Sequence, residues 1–200
     1  MIGTKHIISS LLITFSTLTI GCKESYTPKP HGFLRLTIPS EHSYTPAPEG
    51  LPFHLEYSTY AEWDSLMVSK KSRANSKWYN VNYPAYKAKI HLSYIPIHQN
   101  LDSLLEESHK FVFEHTVRAD AIDETSFRKP EKDLHGVLFD LQGNSASNME
   151  FWATDSTHHF LRGALYFETT PNVDSLAPII NYIKTDIVYM INSLEWNAIN

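Results

Sequence analysis

Residues 134–168 read LHGVLFDLQ, then GNSAS, then NMEFWATDSTHHFLRGALYFE, and this stretch decides the fold. Three runs rich in large apolar residues are separated by turn-forming residues at Gly143-Asn144 and at Asp155-Ser156. Short apolar runs bounded by such turns are typical of strands joined by tight connections. The sequence therefore predicts a meander of three antiparallel strands.

The third run is apolar on both of its alternating sets of side chains. One set contains Phe160, Ala164 and Tyr166, and the other contains Leu161, Leu165 and Phe167. A strand with one face in water could not bury both sets. We therefore expect both faces of this sheet to be covered, and two amphipathic helices are the natural covers.

The first helix is predicted over residues 100–120, with a capping box that starts it near Ser103. The second begins at Asp174 or Ser175 and carries an unbroken apolar stripe: Leu176, Ile179, Ile180, Ile183, Ile187, Met190, Ile191 and Leu194. The order of strands, helix, meander and helix predicts an α+β domain, with a mostly antiparallel sheet flanked by two long helices. By fold analogy alone, this order is similar to the Mog1/PsbP-like arrangement.

Length and composition favour one globular domain over residues 33–200. The chain has 200 residues, of which 42% are hydrophobic, and its formal net charge is −5. Removal of the first 21 residues leaves 16 basic against 22 acidic residues, a net charge of −6. This acidic excess argues against nucleic acid as a partner.

Residues 1–21 have the short apolar run of an export signal, and Cys22 follows directly as the only cysteine. The stretch from Leu18 to Cys22, LTIGC, resembles a bacterial lipoprotein box, although Thr19 stands where Leu, Val or Ile is usual. We predict lipid attachment at Cys22, including palmitate, since several acyl chains hold a domain on a membrane. The alternative is an ordinary cleaved signal peptide that leaves a free thiol. Residues 22–32 form the predicted tether.

The sequence contains few patterns that are typical of catalytic or metal-binding sites. The GNSAS run at residues 143–147 lacks the second glycine of a nucleophile elbow, and it lies in a predicted hairpin turn. His158 and His159 are adjacent in a strand, where neighbouring side chains point to opposite faces and could not easily share one ion. We therefore predict no enzyme activity, no metal and no cofactor.

A few polar residues still stand out as a candidate interaction or structural cluster: His115, Asp120, Thr154, Asp155, His159 and Arg162. His115 is interpreted as a buried histidine held by a carboxylate. Thr154 and Asp155 are expected to form a turn held by bonds between side chains and the backbone. Arg162 lies in an apolar strand and needs a partner, for which Asp140 and Glu150 are the candidates.

Several longer runs resemble the gliding-motility lipoprotein family GldD. These are PKPHGFLRL at 28–36, YKAKIHLSY at 86–94, HTVRADAI at 115–122, GNSAS at 143–147, TDSTHHFLRGALYF at 154–167 and PNVDSLAP at 171–178. His31 and Phe33 depart from the Arg and Tyr expected there. The resemblance implies a membrane-anchored, non-enzymatic component needed for gliding and for type IX secretion. It implies partners in that machinery, with the domain facing the periplasm, and it brings no catalytic residues.

Two alternatives remain from the sequence. One is an exported ligand carrier or hydrolase of the cell envelope, which would need a large apolar pocket with a few convergent polar groups. The other is an outer-membrane assembly lipoprotein unrelated to motility. A scaffold component, in contrast, should present exposed aromatic or apolar patches on a solid core. Which membrane holds the protein is left open.

Overall fold

The architecture comes from a computed structural model of the chain, which describes residues 37–66, 76–115, 119–168 and 173–198. The predicted signal peptide, Cys22 and the tether lie outside the described residues. All described residues belong to one compact unit.

The described part of the chain contains eleven strands and two α-helices. In chain order these are β1 (Tyr44–Pro46), β2 (Phe53–His54), β3 (Glu56–Ser58), β4 (Glu62–Leu66), β5 (Lys77–Tyr83), β6 (Ala88–Pro96), α1 (Leu101–His115), β7 (Ala119–Lys129), β8 (Leu134–Gly143), β9 (Ser147–Thr154), β10 (His159–Phe167), α2 (Val173–Ser193) and β11 (Glu195–Trp196). Strands β4 to β10 form one antiparallel sheet in the order β4-β5-β6-β10-β9-β8-β7. Two small antiparallel pairs, β1 with β3 and β2 with β11, complete the fold.

The meander is confirmed as β8, β9 and β10. Each strand pairs antiparallel with the next, and β9 is buried along its whole length. Gly143 has a φ of 88°, a left-handed conformation that favours glycine where the chain turns from β8 toward β9. On its other side β10 pairs with β6, which comes from the first half of the chain and lies inside the sheet.

Two separate hydrophobic clusters lie on opposite faces of this sheet. Along β9, Phe151 and Ala153 belong to the major cluster and Trp152 belongs to the minor one, as the alternation of a strand requires. The major cluster includes the α2 residues Ile179, Ile183, Ile187, Met190 and Ile191. The minor cluster includes Leu104 and Val112 of α1. The predicted α+β class, a mostly antiparallel sheet with two helices, is thus confirmed.

The predicted first helix is too long at its C-terminal end. Helix α1 ends at His115, and β7 begins at Ala119, so Asp120 lies in a strand. The helical reading fails because β7 pairs with β8 as far as Gly143, and these long-range bonds override the local preference of residues 119–120.

Candidate functional site

The turn between β9 and β10 is built around the carboxylate of Asp155. Its Oδ1 accepts hydrogen bonds from the backbone N–H groups of Thr157 (2.9 Å), His158 (2.8 Å) and His159 (2.8 Å). Thr154 closes the other side, because its hydroxyl donates to the carbonyl of His159 at 2.6 Å and accepts from the N–H of Ser156 at 2.9 Å. The sequence prediction of a turn held by bonds between side chains and backbone is confirmed.

These bonds keep Asp155 ionised although it is 8% exposed. Burial acts to raise the pKa of Asp155, but the three backbone donors outweigh it and hold the pKa below the usual value. A carboxylate whose lone pairs are already taken by its own turn has little capacity for a ligand. The geometry therefore assigns Thr154 and Asp155 a structural task, which is to fix the start of β10.

His159, at the start of β10, is buried beside the C-terminus of the described chain. Its ring stacks on Trp196 with 5.1 Å between ring centroids, and its Nδ1 lies 2.9 Å from the Tyr94 hydroxyl. Burial lowers the pKa of His159, although the nearby Asp155 charge acts to raise it. His159 is therefore neutral at pH 7 and joins β6, β10 and β11 through packing.

Arg162 lies on the face of the sheet that carries the minor cluster, next to a cleft of about 460 Å³. Its guanidinium carbon is 4.1 Å from the centroid of the Phe111 ring on α1, a cation–π contact. The cleft is lined by His91, Ser93, Phe111, Glu114, Glu150, Arg162, Ala164 and Tyr166. This contact between two half-buried side chains explains how a strand that is otherwise apolar accommodates a guanidinium.

Of the two partners predicted for Arg162, Glu150 is on the correct face and Asp140 is not. Glu150 lines the same cleft as Arg162 and is 2% exposed. Asp140 instead accepts a hydrogen bond from Lys184 of α2, which covers the opposite face. Burial raises the pKa of Tyr166, where the Glu150 charge adds to the effect and the Arg162 charge opposes it. These three side chains therefore form one electrostatic group.

The remaining predicted residues do not join this group. Asp120 is exposed in β7 and lines a different cleft, of about 440 Å³, between β8 and α2. His115 is the last residue of α1, and its side chain lies outside the described part of the structure. The six predicted residues thus divide among separate places, with Thr154, Asp155 and His159 together and Arg162 on its own.

A buried polar cluster around Asp186 of α2 was not predicted from the sequence. This carboxylate is 1% exposed. Its Oδ1 lies 2.6 Å from His42 Nδ1, and its Oδ2 accepts a hydrogen bond of 3.0 Å from the Tyr83 hydroxyl. The His42 ring also stacks on Tyr182 at 4.2 Å between centroids. Burial, followed by the Asp186 charge, raises the pKa of Tyr83 and raises that of Tyr182 to about 12. These phenols therefore remain protonated donors.

The Asp186 cluster fastens the segment 37–46 to the body of the domain. Besides His42, Tyr44 of this segment stacks on Tyr189 of α2 with 3.5 Å between centroids. Two backbone carbonyls of the segment accept bonds from tyrosine hydroxyls, Thr37 from Tyr86 at 3.2 Å and Glu41 from Tyr182 at 3.3 Å. One sequence signal could have located the cluster, since Asp186 follows Ile183 by three positions and so lies on the same face of α2 as the apolar stripe.

Within the described ranges of the chain, no three His, Cys, Asp or Glu side chains are grouped so that they could hold a metal ion. None of the helices described is both long and apolar enough to cross a membrane.

Comparison with known protein families decides the relationship. The sequence model of the family described as gliding motility lipoprotein GldD matches residues 23–196. The chain belongs to the GldD family. The resemblance inferred from the sequence is thereby confirmed. No curated protein and no solved structure matches the chain, so the Mog1/PsbP analogy stays a prediction.

Membership in the GldD family makes the chain a lipoprotein with a role in gliding motility. Because a lipoprotein is held by its acyl chains, the family also implies an envelope location with the domain anchored to a membrane. The match begins at residue 23, directly after Cys22, so it covers the rest of the predicted tether and the described domain as far as Trp196.

Proposed function

We propose that this chain is a non-catalytic component of the gliding machinery and of the associated type IX secretion apparatus, acting through contacts with other proteins of the machinery. The observation that carries the proposal is the GldD match over residues 23–196. The chain works where it is anchored, by holding neighbouring proteins in position. It needs no small-molecule substrate and no cofactor for this task.

The use of the most suggestive polar groups supports this proposal. Asp155 Oδ1 accepts hydrogen bonds from three N–H groups of its own turn, and the two oxygens of Asp186 are hydrogen-bonded to His42 and Tyr83. A general base needs a free lone pair directed at a substrate, and both carboxylates are occupied. The same bonds hold the turn before β10 and fasten the segment 37–46 to α2, so their role is structural.

Exposed apolar side chains give the domain surfaces for protein contacts. Phe113 of α1 is 57% exposed, and Val188 and Tyr189 lie on the outer side of α2. Large aromatic side chains in such positions are the ones that contribute most to binding when a partner covers them. Lipid attachment at Cys22, with palmitate among its acyl chains, would hold these surfaces at the membrane on the periplasmic side.

The test is complementation of a strain that lacks the gene. Wild-type protein, Cys22→Ser and the neighbouring control Ser25→Ala are expressed, and colony spreading, secretion of large surface proteins and incorporation of labelled palmitate are scored. We expect wild type and Ser25→Ala to take up label and to restore both activities. Cys22→Ser should take up no label and restore neither.

Two outcomes contradict the proposal. Normal spreading and secretion in the deletion strain would contradict a role of this protein in the machinery. An unlipidated Cys22→Ser protein that restores both activities would contradict the anchored mechanism and favour the exported carrier or hydrolase.

A further inference from the structure

Strand β7 forms one edge of the seven-stranded sheet. It runs over eleven residues, Ala119–Lys129, and pairs only with β8 among the strands described. Seven of these eleven residues are exposed and none is buried. In an antiparallel sheet about half of the backbone N–H and C=O groups of an edge strand point away from the sheet, where another strand can pair with them.

The charges of β7 are divided between its two halves. Asp123 and Glu124 are the fifth and sixth residues of the strand, and Arg128 and Lys129 are its last two. None of these four residues takes part in a salt bridge within the described chain. Glu124 and Arg128 are about 13 Å apart along an extended strand, too far to pair with each other. The strand therefore carries a charge pattern that an antiparallel copy of itself would complement.

We propose that β7 is the contact between two copies of this chain, paired antiparallel about a two-fold axis at Ser126. Such an axis is perpendicular to the sheet, so the same face of both copies points to the same side of the joined sheet. A residue of one copy can therefore lie opposite only those residues of the second copy whose side chains are on the same face. In this register Glu124 faces Arg128 of the second copy, and Asp123 faces Lys129. Symmetry forms each pair twice.

Neighbouring registers lack this complementarity. An axis at Thr125 or at Phe127 forms neither pair. An axis at Glu124 sets Arg128 opposite Asp120 but places the Glu124 carboxylate opposite its own copy. Parallel pairing without a shift places acid beside acid and base beside base. A second copy is therefore the strand that fits this edge, because an unrelated peptide would need the same division of charge in reverse.

The side chains near the axis leave room for the second strand. Residues 123–126 are all exposed, and Ser126 at the axis is small. Lys129 contacts the neutral Asn192 side chain at 2.7 Å, and burial together with Lys132 lowers the pKa of Lys129. Within the described chain Glu131 is the acid that acts on this ammonium, and a carboxylate from the second copy would add a second negative charge beside it. The product is a continuous fourteen-stranded sheet across two copies.

The first experiment uses charge variants of the full-length chain, purified from membranes in a mild detergent and studied by sedimentation. Glu124→Arg alone places Arg opposite Arg twice, and Arg128→Glu alone places Glu opposite Glu twice. Each should weaken dimerisation about tenfold. An equal mixture of the two variants restores both pairs in a heterodimer, and dimerisation should return to nearly the wild-type constant.

Mixing makes this test specific, because a variant that merely misfolds is not rescued by another misfolded variant. A wild-type chain that stays monomeric overturns the proposal. So do single variants that dimerise like the wild type, or a mixture that dimerises no better than its components.

The second experiment fixes the register by disulfide formation in intact envelopes. Two Ser126 positions would have Cα atoms about 4.5–5.5 Å apart, which is within the range that a disulfide spans. Ser126→Cys should form a crosslinked dimer on mild oxidation. The exposed Ser103→Cys on α1 is the matched control, and the unsubstituted chain controls for Cys22. Equal crosslinking at both positions, or crosslinking of Ser126→Cys only to a different protein, contradicts pairing through β7.

Discussion

His42 and Asp186 are 144 residues apart in the sequence, and yet His42 Nδ1 lies 2.6 Å from Asp186 Oδ1. The bond connects the segment that follows the predicted tether to the buried side of α2. Because Asp186 is 1% exposed, the charge requires these donors to remain in the core. The pair thus determines how the first described residues join the domain.

Substitution of Asp186 should destabilise the domain strongly. Asp186→Ala leaves the buried Tyr83 hydroxyl and the His42 ring without their acceptor, and we expect a loss of about 3 kcal/mol in the free energy of unfolding. Urea denaturation measures this loss. The exposed Asp64→Ala in β4 is the control and should change little. Equal stability of the two variants would show that the His42–Asp186 bond does not hold the segment.

Substitution of Asp155 should loosen the turn before β10. Asp155→Ala removes the acceptor of three backbone N–H groups, and we expect a loss of about 2 kcal/mol at neutral pH. Ser156→Ala in the same turn keeps those bonds and is the matched control. Because the folded pKa of Asp155 is below its ordinary value of 3.8, its contribution is complete above that value and is lost as pH falls through the folded pKa. The gap between wild type and Asp155→Ala should therefore close in strong acid, which urea denaturation at several pH values would reveal.

His159 should make the free energy of unfolding depend on pH in a range above that of Asp155. Burial lowers its pKa from the ordinary value of 6.5, so the unfolded chain binds a proton before the folded chain does. Stability should therefore decrease as pH falls below 6.5 until the folded pKa is reached. In His159→Gln this slope should be shallower, and the exposed His98→Gln should keep the wild-type slope. A slope of the same sign should remain in His159→Gln, since burial also lowers the pKa of His91. An unchanged slope in His159→Gln would contradict the assignment.

Gly136 and Gly163 should tolerate no side chain. A Cβ at Gly136 would lie 2.0 Å from the Trp152 carbonyl oxygen, and one at Gly163 would lie 2.2 Å from the Phe151 ring. We expect either alanine substitution to cost about 3 kcal/mol or more, because the neighbours are backbone and a buried ring. Gly50→Ala is the control, since a Cβ there meets nothing within 4 Å and only its positive φ costs about 1 kcal/mol. Thermal unfolding compares the three variants, and equal melting temperatures would contradict the close approaches.

Much of the fold was predictable where the pattern is local. Apolar runs bounded by turn-forming residues identified β8, β9 and β10, and the apolar stripe identified α2. The Asp155 turn was also predictable, because its hydrogen bonds join residues within four positions of each other. The lipoprotein family followed from runs distributed along the chain and was confirmed.

The boundary between α1 and β7 was not predictable in the same way. Residues 116–120 continue the helical pattern by spacing alone, but Ala119 pairs with Gly143 of β8, more than twenty positions further along. The partner of Arg162 was equally undetermined. Phe111 precedes Arg162 by 51 positions in the sequence, and only the packing of α1 on the sheet brings the ring to the guanidinium.

By itself, the sequence determined the strands of the meander, the helix α2, the Asp155 turn and the family, because each is encoded in neighbouring or periodic residues. Only the tertiary structure decided that β6 pairs with β10, that β7 is an edge, and that His42 reaches Asp186. These features join residues far apart in the chain, and their free energy depends on which surfaces meet after the chain has folded. Local periodicity carries no information about that choice.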